Sequence, residues 1–224
     1  MKLYLFFTLF ICSTSFAQKQ DTVFLKRRIA HTPYPFYHAV FIETRAKFKD
    51  QLVDFSFKNF DTTTYFGQLA RLRPLKRSRL VQKNKFPRKW VALYSLKGKY
   101  YLYRPSDFGY HFRFKITDST TIDFTMEGPE PSRLNRISFS SPTKVIIERT
   151  NHWEGKLVYI HVVNVKKGIA VFTFSPTKYN KKGYQLLMLD AEKAHLYPTI
   201  VNFCPTEKQP EFNFDKVNFK SPTK

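Results

Sequence analysis

The sequence predicts an all-β protein: an antiparallel meander of about nine strands forming a barrel-like or sandwich domain, with one short helix near residues 190–196. Three observations carry this reading. Residues 90–127 alternate apolar and polar side chains almost without interruption, and a period of two places each set on one face of a strand. Strand-like runs then continue at short spacing to Leu189, separated by turn residues, as in a meander. Prolines 74, 87, 129 and 131 argue against helices continuing through the segments that contain them.

The clearest hairpin lies within residues 110–127. Tyr110, Phe112, Phe114 and Ile116 form one face of its first strand, and Ile122, Phe124 and Met126 one face of its second. Placing Asp118, Ser119 and Thr120 in the loop sets Phe114 opposite Phe124, Lys115 opposite Asp123, and His111 opposite Glu127. Opposite charges across strands contribute about 0.2–1 kcal/mol per pair. Before it, Trp90 to Leu96 and Lys99 to Arg104 flank a tight connection at Lys97-Gly98. After it, Gly128-Pro129-Glu130-Pro131 is expected to be a loop. Strands follow over 136–140, 144–149, 156–165, 169–174 and 184–189. Asp190 is a natural N-cap for a helix over Ala191 to Leu196, which Tyr197-Pro198 would stop. Glu211 to Phe219 is expected to return as an edge strand.

Near its start the chain has Lys2, a largely apolar run from Leu3 to Cys12, and Ser15-Phe16-Ala17. That is the anatomy of a cleaved secretory signal peptide, with cleavage expected after Ala17. The organisation is then a signal over 1–17, an N-terminal extension with short strands and a basic segment over 18–85, a β domain over 86–219, and a disordered tail over 220–224. The extension either packs on the main domain or belongs to it. The expected location is secreted or periplasmic. After cleavage Cys204 is the only cysteine, so no internal disulfide can form. Its apolar neighbours predict a buried structural thiol.

Charge gives the strongest compositional signal. The chain has 38 basic and 17 acidic residues, a net charge of +21. No acidic residue lies between Asp61 and Asp107, while Arg71, Arg73, Lys76, Arg77, Arg79, Lys83, Lys85, Arg88 and Lys89 all do. Such a run reads either as a solvated face or as an anion-binding surface. Export argues against nucleic acid as the working partner. Anionic lipid, lipopolysaccharide or acidic polysaccharide fits the expected compartment.

Catalytic patterns are thin. The six histidines lack zinc-motif spacing, and no nucleophile elbow, phosphate loop or dinucleotide fingerprint is present. No cofactor or metal is expected. His111 with Glu127, and Asp107 nearby, is either an acid–base group or a surface cross-strand pair. Small barrels can be filled by side chains or can hold one ligand, as in lipocalins. The Gly-x-Trp motif of that group is not present around Trp90, which follows Arg88-Lys89. Two functions lead: an exported non-enzymatic carrier or binder of a small apolar ligand or an anionic envelope component, and an interaction protein of the cell envelope that displays segment 71–89 to a partner. An enzyme comes a distant third and would require a cleft joining His111, Asp107 and Glu127.

Overall fold

Eight antiparallel strands close into a barrel in the computed structural model, which describes residues 22–30, 36–43, 48–57, 59–75, 86–107, 111–150, 156–178 and 180–222. The expected signal peptide lies outside these residues. So do Lys76, Arg77, Arg79, Lys83 and Lys85. The elements are β1 (Thr22–Ala30), β2 (Phe36–Glu43), α1 (Lys49–Leu52), α2 (Asn59–Arg71), β3 (Lys89–Ala92), β4 (Tyr94–Leu96), β5 (Lys99–Arg104), β6 (Arg113–Ile116) and β7 (Thr120–Thr125). They continue with β8 (Gly128–Ser141), β9 (Lys144–Thr150), β10 (Leu157–Asn164), β11 (Ile169–Phe174), β12 (Tyr184–Asp190), a 3₁₀ helix (Ala191–Leu196) and β13 (Thr199–Phe203). The barrel order is β10-β11-β12-β3-β6-β7-β8-β9, and a second sheet has the order β1-β2-β13-β5-β4. Strands from both sides of residue 85 therefore share the second sheet, since β13 pairs with β2.

Alternation decides what the barrel encloses. Trp90, Phe114, Ile147, Ile160, Phe172, Phe174 and Met188 point inward and are almost fully buried. The ring of Phe172 lies 5.2 Å from Trp90 and 5.4 Å from Phe114, both edge-on, an arrangement favoured by the ring quadrupoles. Arg136, Lys144, Glu148 and His161 stand exposed on the outside. A barrel that faces lipid has the reverse pattern. Among the described residues no helix is long and apolar enough to cross a membrane.

One sector of the outer wall is covered by a second layer. Val91, Ile122, Phe124, Val171 and Leu187 pack under Leu52, Phe55, Tyr65 and Leu102. Helix α2 was not legible in the sequence, because three consecutive threonines and Gly67 are poor helix formers. Tyr65, Leu69 and Leu72 recur at helical spacing on its inner side, and α2 packs on β8. Tertiary burial supplies what propensity withholds.

The hairpin register differs from the expected one by one residue. Phe114 lies opposite Asp123, and Lys115 opposite Ile122. A one-residue slip reverses every side chain of one strand. Asp123 and Thr121 therefore enter the lumen, while Ile122 and Phe124 face the second layer. The alternation rule failed because both faces of β7 are buried, from Thr120 to Phe124.

The loop expected at 128–131 is instead the start of β8, with Pro129 opposite Phe124 and Pro131 opposite Ile122. Pairing of β8 with β9 begins only at Arg133. The prolines turn their missing N–H groups away from β7, to a side where no described residue pairs with them, as proline requires in a strand.

The expected edge strand at 211–219 also departs from plan. The segment returns to the second sheet, with Phe212, Phe214, Val217 and Phe219 partly buried, but forms no ladder. Side chains hold it. Tyr103 Oη donates to Glu211 and accepts from the Phe212 amide at 3.0 Å, and Asn202 Nδ2 donates to the Pro210 carbonyl at 3.0 Å. Residues 220–222, the start of the expected tail, form a turn in which Tyr100 Oη reaches the Pro222 carbonyl.

Cys204 is half-exposed, not buried, because the chain leaves β13 just before it. Burial pushes its thiol up, but hydrogen bonds from the Thr206 hydroxyl and the Thr206 and Glu207 amides outweigh this and hold it below the usual thiol range.

Candidate anion-binding surface

Strands β3 and β6 place three cations together on the outer wall, and Arg88 lies just before β3. Outward residues of neighbouring antiparallel strands sit side by side, and here Lys89 is opposite Lys115 and Val91 opposite Arg113. Like charges directly opposite are destabilising, and neither lysine has a carboxylate partner among the described residues. Burial holds the Lys115 ammonium below its usual range, and the charge of Lys89 lowers it further. Burial likewise lowers Arg113, against the pull of Asp54 and Asp61. A ring of the second layer and one of the barrel wall provide partial compensation. Lys89 Nζ lies 5.7 Å from the Phe55 centroid, and the Arg113 guanidinium 4.6 Å from that of Phe124. Arg88 completes the group and pairs with Asp118 at 3.2 Å, both side chains being well exposed.

Beside these cations is an open cleft of about 540 Å³. Its β3 side is Phe86, Pro87, Arg88 and Lys89, and its β12 side is Asp190, Ala191 and Glu192, with Val53 between. Asp190 is already engaged, because its carboxylate caps the 3₁₀ helix by accepting from the Glu192 amide at 3.1 Å. Its carboxyl group is raised by burial. The cleft thus has two cations, Arg88 and Lys89, on one side and two carboxylates, Asp190 and Glu192, on the other, so an anionic group would be met at its β3 side, beside Phe86 and Val53.

Of the nine cations expected to form one surface, four lie among the described residues, at two places in the fold. Arg88 and Lys89 lead into β3. Arg71 and Arg73 are exposed at the end of α2, which packs on β8. In the barrel β3 and β8 are separated by β6 and β7. The other five lie outside the described residues. Arg113 and Lys115 were missed as members of the group, because the misregistered hairpin assigned Lys115 to Asp123.

His111 and Glu127 are not brought together. His111 is buried beneath α1, where Nε2 donates to the Leu52 carbonyl at 2.9 Å. Burial pushes its imidazole down to about 4, aided by Arg113 and opposed by the Leu52 carbonyl, so it is neutral at pH 7. Glu127 is exposed in the β7–β8 turn, with its amide bonded to Thr125 Oγ1 at 3.2 Å. Asp107 is bridged by Lys208 at 2.5 Å.

The lumen holds a charged group that the sequence did not disclose. Arg149 Nη1 lies 2.5 Å from Asp123 Oδ2 and 3.3 Å from Thr121 Oγ1, with both charged side chains essentially fully buried. The guanidinium also faces the rings of Phe114 and Phe174 at 5.7 and 5.6 Å. This pair stands in the wall of a packed core, away from the outer cleft. Among the described residues, no group of three or more His, Cys, Asp or Glu converges as a metal site. Compared with models of known protein families, with curated proteins and with solved structures, the chain matches none.

Proposed function

We propose that this is an exported, non-enzymatic binding protein that engages an anionic envelope component through the cations of β3 and β6. Anionic lipid, lipopolysaccharide and acidic polysaccharide are the candidate classes. The observation that carries the reading is the Lys89–Lys115 juxtaposition beside the cleft. A fold that sets two ammonium groups opposite each other without a carboxylate between them gains when a ligand supplies the anion. A small apolar ligand within the barrel is the weaker reading, since Trp90, Phe114, Phe172 and Phe174 fill the lumen with ring centroids 5.2 to 6.3 Å apart. The barrel then serves as a rigid scaffold.

A second reading, an interaction protein of the envelope, is favoured by β1. This strand pairs only with β2 among the described elements, and it exposes Val23, Phe24, Leu25 and Ile29. A free apolar edge is a template for another chain.

The first reading is tested with the double variant Lys89→Gln, Lys115→Gln. Wild-type protein should bind phosphatidylglycerol vesicles, lipopolysaccharide or alginate at low salt and lose affinity steeply as ionic strength rises. At about 1 kcal/mol per cation near an anionic surface, the variant should bind roughly 10- to 30-fold more weakly. Its thermal stability should be unchanged or slightly higher, because the like-charge opposition is gone. Equal binding by the variant, or binding insensitive to salt, would contradict the proposal.

A further inference from the structure

We infer that the end of the barrel where β10 turns into β11 docks on an anionic lipid bilayer, with Val165 and Leu196 entering the interfacial layer. This rests on the anionic-partner reading and narrows it to one source. Val165 is 65% exposed and Leu196 50% exposed, yet neither belongs to a loose segment. The turn is closed by Asn164 Oδ1, which accepts from the Lys167 amide at 2.9 Å, and by Gly168 at φ 70°. It is fastened to the 3₁₀ helix that carries Leu196. The Asp190 amide donates to the Gly168 carbonyl at 2.8 Å, and Tyr197 Oη donates to the Lys167 carbonyl at 2.9 Å. The contact is so close that a β-carbon on Gly168 would fall 2.7 Å from Lys193 Cγ.

The two apolar residues are thus held out by a rigid platform, so no ordering cost is added when they enter a second phase. Their neighbours are Lys166 and Lys167 in the turn and Lys193 on the helix, all at least partly exposed. The same helix borders the cleft with Arg88 and Lys89, through Ala191 and Glu192. Cations around protruding apolar residues match a surface that is anionic at its headgroups and apolar just beneath. A hydrated polysaccharide would use the lysines and leave Val165 and Leu196 without gain. A second copy of this chain would set the same lysines against one another.

The experiment measures partition of the purified full chain into phosphatidylcholine vesicles with and without phosphatidylglycerol, and in parallel its binding to alginate. Val165→Ser with Leu196→Ser should reduce partition into the anionic vesicles about 10- to 30-fold, less than full transfer of two aliphatic side chains would give, because only the exposed part of each is withdrawn and from the interfacial layer. Alginate binding and melting temperature should not change, because both residues are exposed. Lys166→Gln with Lys167→Gln should weaken vesicle binding and leave its residual part less salt-sensitive. If the apolar variant partitions as wild type does, the inference falls while the anionic-partner reading stands. If the wild type binds neither anionic vesicles nor alginate, that reading falls first. Loss of vesicle binding in Phe24→Ser with Ile29→Ser, but not in the Val165 and Leu196 variant, would move the docking surface to β1 and overturn this one.

Discussion

Replacing Asp123 with asparagine is expected to destabilise the protein by about 3–5 kcal/mol, read as a fall in the urea midpoint at constant slope. The reason is the position of Arg149. Its guanidinium is withdrawn from water and lies 2.5 Å from Asp123. Removing the carboxylate charge leaves the buried guanidinium, which also meets Thr121 Oγ1 and the faces of Phe114 and Phe174, without this counter-charge. The pair itself is not a large net source of stability, since desolvation offsets most of its Coulombic gain. A second variant separates the two statements: Asp123→Val with Arg149→Met should recover most of the loss. A single-variant loss below about 1 kcal/mol would mean that water or a counter-ion reaches the pair, and the lumen would not be closed at that end.

Phe172→Ala is expected to cost a similar amount, about 3–5 kcal/mol. Phe172 is fully buried at the meeting point of the Trp90, Phe114 and Phe174 rings. Truncation removes its transfer energy and leaves a void that those large rings cannot collapse to fill. Because such voids are apolar, the variant should also take up a small hydrocarbon such as benzene, with a rise in melting temperature that the wild type does not show. A loss below about 1.5 kcal/mol would mean that the lumen is loosely filled, and the case for a scaffold barrel would weaken.

Much of the β architecture was legible because alternation is local. The strands from Lys144 to Asp190, the Lys97-Gly98 turn with positive φ at both residues, and the Asp190 cap all follow from nearest neighbours in sequence. What failed was set by tertiary burial. The β6–β7 register looked certain because pairing Lys115 with Asp123 satisfied two charges. In the fold Asp123 instead answers Arg149, 26 residues away, and no local pattern reports that partner. Pro129 and Pro131 looked like loop residues, since the sequence cannot reveal that they pair with β7 on one side and with no described residue on the other. Helix α2 has weak propensity and forms against β8. The partition of Trp90 to Leu96 into β3 of the barrel and β4 of the second sheet is likewise invisible to a period of two.

The candidate site was half legible for the same reason. Arg88 and Lys89 were found by composition, which needs no register. Their neighbours Arg113 and Lys115 depend on which strand lies beside β3, and that is a property of barrel closure. The tip residues Val165 and Leu196 gave no signal in sequence, because a valine in a turn and a leucine at a helix end become notable only when their exposure is known.

The central claim is that the barrel is a solid scaffold and that binding occurs on its charged outside. Native mass spectrometry of residues 18–224, purified from an export-competent host and compared before and after mild organic extraction, tests it most directly. The account predicts the bare chain mass in both spectra, with any retained anion lost on raising the salt. A stoichiometric small molecule that survives high salt and leaves only with organic solvent would contradict it, and would make this barrel a carrier.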